Sequence, residues 1–153
     1  MRESSGWFAI ETAEEADYNG PPGARPMLDR GTNGRSKGEL EAAIRTAIIK
    51  FEQEFLGRGP DDVRASLVRD LVVIRLKGVL TPAEKQLAKT PEGVDMVKQL
   101  RQNLIAQGRD RLCDQMAELT GAKPLALFTD IDAHLGERVF VLAFDRDLEA
   151  TFR

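Results

Sequence analysis

Apolar residues Leu40, Ile44, Ala47, Ile48, Phe51 and Phe55 recur at helical spacing, and that stripe predicts a first helix with one buried face. Ser36-Lys37-Gly38-Glu39 ahead of it is a capping box, and Gly57 after it is a left-handed stop. Beyond the Gly59-Pro60 turn the period changes. Val63, Ala65 and Leu67 alternate with polar partners as one strand, Leu71 to Leu76 form a second, and Arg69-Asp70 between them is the tight turn of a hairpin. Thr81-Pro82-Ala83-Glu84 starts a short helix: threonine caps it, proline takes the first helical position and glutamate completes the box. Thr90-Pro91 opens a long helix whose predicted stripe is Val94, Val97, Leu100, Leu104, Leu112, Met116 and Leu119, ending at Gly121. Gly108 inside it is expected to be a weak point, costing about 1 kcal/mol relative to alanine. "PLALFTDI" and "RVFVLAF" read as two more strands, joined by a polar loop through Asp132, His134 and Gly136.

The order helix, hairpin, short helix, long helix, hairpin implies an α+β fold, with a mainly antiparallel four-stranded sheet of two hairpins packed against one long and two shorter helices. The strands carry a further signal. Leu71 and Val73 oppose Val72, Ile74 and Leu76, while Val139 and Val141 oppose Phe140, Leu142 and Phe144, so both sheet faces are apolar. A contiguous apolar face is what soluble monomers avoid. A homodimer joined through Leu71, Val73, Val139 and Val141 is therefore expected; the competing arrangement is a monomer in which Trp7, Phe8 and Ile10 cover the patch.

Composition narrows the class. The 153 residues, 42% hydrophobic and 31% charged, suit one domain that buries its core without metal or disulfide staples. Residues 1–35 differ in kind: "YNGPPGARPMLDRGTNGR" is dense in glycine and proline without periodicity, and reads as a flexible leader before a single domain at 36–153. The formal charge of -3 argues against general phosphate-backbone binding, so nucleic acid is not an expected partner. With Cys113 alone, no intramolecular disulfide forms, which points to a small core hydrophobe in a reducing compartment. No stretch is apolar enough to span a bilayer and no secretory signal is visible, so the expected location is cytoplasmic, without membrane insertion.

From "FLGRGPDDVRASLVRDLVVIRLKGVLTPAEKQLAKTPEGVDMVKQLRQNL" the chain resembles the MpsC-like family, bacterial proteins named for a sodium-translocating, membrane-potential-generating system. The likeness runs from about Leu40 to Phe144. Its most specific pieces are Gly57-Arg58-Gly59-Pro60, then Gly78-x-Leu80-Thr81-x-x-Glu84-Lys85-x-Leu87, then the helical Arg101. The resemblance implies an accessory or regulatory role beside a membrane ion-translocating or inorganic-carbon uptake system, with transporter subunits as partners and a place at the inner face of the membrane. It implies no catalytic residues and no cofactor.

The residues offer few sites of their own. Arg58, set between two glycines, could hold an anion with the Gly59 backbone close by; a helix stop followed by a proline turn explains the same residues. Arg101 on the long helix suits either a structural ion pair or a bound carboxylate or small oxyanion. Glu84 and Lys85 are accounted for by the capping box and a solvated helix face. His134 with Asp130 and Asp132 reads as turn chemistry, so no metal site is expected. Nucleophilic catalysis has no supporting motif. Two alternatives to the accessory role stay open: a small-anion sensor or enzyme built on Arg58 and Arg101, and an RNA- or DNA-binding module using Arg58, Arg64, Arg69 and Arg75 around the first hairpin.

Overall fold

The computed structural model describes residues 7–9 and 34–152. In chain order these form β1 (Trp7–Ala9), α1 (Lys37–Leu56), β2 (Asp62–Val68), β3 (Leu71–Lys77), α2 (Pro82–Leu87), α3 (Pro91–Thr120), β4 (Pro124–Asp132), β5 (Glu137–Phe144) and α4 (Leu148–Thr151). The two hairpins meet through antiparallel pairing of β3 with β5, which gives the order β1-β4-β5-β3-β2. The fold is thus α+β with an antiparallel open sheet. Two elements add to the sequence-based expectation: the short α4, and a fifth strand in which Trp7 to Ala9 pair with Phe128 to Ala126 at the β4 edge. The flexible character expected for residues 1–35, and the covering role expected for Trp7, Phe8 and Ile10, lie otherwise outside the described residues.

Local chemistry sets the ends of these elements. Ser36 Oγ accepts from the Glu39 N-H while Glu39 accepts from the Ser36 N-H, and α1 stops at Gly57 with φ 73°. The β2–β3 turn needs only two residues because Arg69 takes φ 55°, in the left-handed region. That strained turn is clasped by α4: the Leu148 and Glu149 N-H groups donate to the Arg69 carbonyl, and the Glu149 carboxylate accepts from the Arg69 N-H and from Lys37 Nζ.

α1 and α3 cover one sheet face. The core between them includes Leu40, Ile44, Ile48 and Phe51 of α1, Val72, Ile74 and Leu76 of β3, and Phe140, Leu142 and Phe144 of β5. On α3 the buried row differs from the expected one. It runs Val97, Arg101, Ile105, Gly108, Leu112 and Met116, whereas Leu100 is 48% exposed and Leu104 only half-buried. A charge and a glycine inside the row hid its register, and the leucines flanking it carried the hydrophobic signal. Gly108 is likewise not a simple weak point: a Cβ there would sit 2.8 Å from the Phe51 ring and 3.0 Å from Phe55, so its absence admits the stacked Phe51–Phe55 pair of α1.

The other sheet face carries no helix among the described residues. Leu71, Val73 and Val141 are half-buried there and Val139 is 37% exposed, with Val73 directly opposite Val141.

Candidate functional site

The connection from β3 to α2 organises the charged centre of the molecule. Gly78 turns the chain with φ 65°, after which Val79 and Leu80 are buried although they belong to no helix or strand. Buried loop backbone needs partners for its polar groups. Here they come from three directions. The Val79 N-H donates to the Gly136 carbonyl of the β4–β5 loop, Arg101 Nη2 donates to the Val79 carbonyl at 2.5 Å, and Arg58 Nη1 donates to the Leu80 carbonyl at 2.5 Å. The arginine after α1 and the arginine of α3 thus grip consecutive carbonyls of one loop.

Both arginines are also paired. Arg58 Nη2 meets Asp61 Oδ1 at 2.7 Å, and a Cβ on Gly78 would fall 2.0 Å from the other oxygen of that aspartate. Arg101 is 1% exposed and binds the Glu84 carboxylate in a two-pronged clamp, Nε to Oε2 at 2.6 Å and Nη2 to Oε1 at 2.7 Å. Glu84 also accepts from the Thr81 N-H, so one carboxylate caps α2 and anchors it to α3. Gly59 stands beside the Gln53 side chain, where an added Cβ would come within 3.3 Å. Arg58, Glu84 and Arg101, singled out from the sequence, therefore converge on residues 79–84, Arg58 through the Leu80 carbonyl and Arg101 through the Val79 carbonyl and Glu84.

Two members of this centre carry no motif signal. Glu52 of α1 lies 3.6 Å from Arg101 Nη1. Arg138 of β5, 2% exposed, points into the helix-covered face, donates to Thr129 Oγ1 and stacks 5.4 Å from the Phe140 ring centroid. Their positions give them away: Glu52 continues the row Leu40, Ile44, Ile48, and Arg138 has the parity of Phe140 and Leu142. Glu52 Oε1, Arg101 Nη1, and Arg138 Nε and Nη2 are buried without a hydrogen-bond partner among the described residues. Burial pushes the Glu52 carboxyl up, against the opposing pull of Arg138 and Arg101. For Glu84 burial also pushes up, but hydrogen bonds from Arg101 and Thr81 outweigh it and hold the group below the usual carboxylate range. Burial depresses Arg138 to about 10, although Glu52 counteracts it. The centre is a balanced set of two carboxylates and two guanidiniums. It can brace helices, sheet and loop together.

The remaining candidates are dispersed. His134 is exposed in the β4–β5 loop, and Asp132 Oδ1 accepts from the His134 and Leu135 N-H groups, a turn-forming role. Among the described residues no cluster of three or more histidine, cysteine, aspartate and glutamate side chains could hold a metal ion. Cys113 is half-buried on α3, where burial raises its thiol pKa. Around the first hairpin, Arg64 faces Asp62 at 3.6 Å and Arg75 forks onto Glu137 at 2.9 Å, so their charge is partly neutralised. No helix among the described residues is long and apolar enough to cross a membrane.

The fold and its centre define a small antiparallel α+β domain whose sheet-to-helix loop is gripped by two arginines. Residues 36–146 match the family model described as "Na+-translocating membrane potential-generating system (MpsC)", and the chain belongs to that family. It is 38% identical over 115 residues to the uncharacterized protein YbcI of Bacillus subtilis (strain 168), covering 75% of this chain and 93% of that protein. It is 36% identical over 103 residues to the uncharacterized protein YrhF of the same organism, covering 67% and 84% respectively. No solved structure matches the chain significantly.

Proposed function

We propose that this protein is a non-enzymatic accessory or regulatory component of a membrane system for ion-driven potential generation or inorganic-carbon uptake, held at the inner face of the membrane by other subunits. The family match over residues 36–146 carries the reading. The chemistry of the charged centre supports it, since Arg58, Glu84 and Arg101 are spent on loop carbonyls and on ion pairs. The test is a pull-down of the tagged full chain from native membranes. Recovery of a cation- or bicarbonate-transport subunit, lost when membranes are extracted from a strain lacking that subunit, is the expected result. Membranes that yield no transport subunit under conditions preserving their complexes overturn the proposal.

The working form in this reading is a homodimer joined through Leu71, Val73, Val139 and Val141. Its support is the helix-free sheet face on which these four residues lie, where Val139 is 37% exposed. Light scattering on the full chain and on Val73→Asp/Val141→Asp tests it: a monomeric mass for the full chain removes the dimer, and a dimer that survives the double substitution removes this face.

A further inference from the structure

The β4–β5 loop separates two clefts of opposite character. One, of about 360 Å³, is lined by Lys98 and His134 together with Asp130, Asp132 and Glu137, so His134 borders both clefts. The other, of about 510 Å³, has Gly78 and Leu80 as its floor, Lys85 and Lys89 on one wall, and His134, Leu135 and Gly136 on the opposite wall. No carboxylate lines this second cleft among the described residues. Lys85 of α2 has no carboxylate partner among the described residues, and Lys89, in the turn after α2, reaches only the Gln86 amide oxygen. The nearest acidic group of the loop, Asp132, is spent on the His134 and Leu135 N-H groups and lines the other cleft.

We infer that the cleft between Lys85, Lys89 and His134 is a binding site for a phosphate-type oxyanion. Two lysines on one wall and a histidine on the other line a space with no carboxylate among its described lining residues. In a chain of net charge -3 this is a local reversal of sign. The floor is built to keep its shape, because Val79 and Leu80 are tied to Gly136 and Arg58 through backbone groups. Leu135 forms the lip and is 69% exposed, the highest value among the large apolar residues on the described surface. An apolar lip above paired lysines suits the headgroup level of an anionic phospholipid, and the same cationic pair would accept free phosphate. The proposal rests on the cleft alone and stands whether or not the protein joins a transport system.

The test uses the purified full chain and two probes: vesicles of phosphatidylcholine with or without phosphatidylglycerol, measured by co-sedimentation, and inorganic phosphate, measured by calorimetric titration. Lys85→Gln/Lys89→Gln is compared with Lys50→Gln/Lys123→Gln, which removes the same charge at exposed lysines outside the cleft. Salt-sensitive binding to phosphatidylglycerol vesicles that weakens about tenfold or more in the cleft variant and not in the control supports the site with lipid as its source. Leu135→Ser then weakens vesicle binding while circular dichroism is unchanged. Saturable phosphate binding, lost in the cleft variant and indifferent to Leu135→Ser, supports the site with free phosphate as its source. Binding of neither probe, or equal weakening by both lysine pairs, overturns the assignment.

Discussion

The Arg101–Glu84 clamp makes the sharpest stability prediction. Replacing Glu84 with glutamine keeps the shape but removes the charge that faces Arg101 at 2.6 and 2.7 Å, leaving that guanidinium with Glu52 at 3.6 Å. It also disturbs the acceptor for the Thr81 N-H, whose capping contribution is about 1 kcal/mol. Breaking one side of a buried pair typically destabilises by about 3 to 5 kcal/mol, because an uncompensated charge stays behind. Glu84→Gln is therefore expected to lower stability by about 3 kcal/mol. Arg101→Met should do at least as much, since it strands two carboxylates and the Val79 carbonyl. The double variant removes both charges and should fall short of the sum by at least about 1 kcal/mol, the sign of direct coupling. Urea unfolding followed by far-ultraviolet circular dichroism measures all three, with the m-value checking that the transition stays two-state. Either single substitution costing under about 1 kcal/mol, or a double variant equal to the sum, would refute the assignment of this pair as the brace between α2 and α3.

Other consequences can be measured on the same protein. Gly108→Ala should destabilise by about 1 to 3 kcal/mol despite alanine's better helix propensity, because the methyl meets the Phe51 ring; a more stable variant would show that the α1–α3 contact yields easily. Gly78→Ala should cost about 1 to 3 kcal/mol through its φ of 65° and the clash with Asp61, and Asp61→Ala should relieve the clash but not the backbone strain. The pH profile has two opposed arms. Glu52 is raised, so the native state takes up its proton first and stability increases as pH falls through that raised value towards 4.5; Glu84 is lowered, so its contribution is present above 4.5 and is lost as pH falls through its depressed value. Denaturant titrations from pH 8 to 3 should show the first arm vanish in Glu52→Gln, and an unchanged profile would remove Glu52 as its cause.

The frame was legible because it is written locally. Ser36, Thr81 and Thr90 cap their helices with their own side chains, Gly57 and Gly121 stop them at positive φ, and the β2–β3 turn needs only Arg69 and Asp70. What stayed hidden is long-range. The row Val97, Arg101, Ile105, Gly108 looks interrupted in the chain, since a buried guanidinium reads as polar until Glu84, seventeen residues away in sequence, is placed beside it. Glu52 and Arg138 are invisible to motif reading for the same reason. The two arginines of the family-like motifs were picked out, but their shared target, the carbonyls of Val79 and Leu80, is a property of tertiary packing. The fifth strand was missed because Trp7 to Ala9 is only three residues long and its pairing partner is β4, far along the chain.

The buried centre and the basic cleft are two sides of one loop. Val79 and Leu80 present carbonyls inward to Arg101 and Arg58, while Gly78 and Leu80 form the floor of the space between Lys85 and His134. Glu84 fixes the pitch of α2 against α3, and Lys85 is the next residue, so the direction of its ammonium depends on the same clamp. The opposite wall is tied in through the bond from Val79 N-H to the Gly136 carbonyl. A charge pair closed off from solvent thus has an outlet at the surface, since loosening Arg101 frees the floor and one wall of the cleft together. Ligand affinity at the cleft and global stability should therefore fall in step along a series at Arg101, whereas substitutions at Lys85 should lower affinity alone, because that side chain is exposed and pairs with no carboxylate among the described residues.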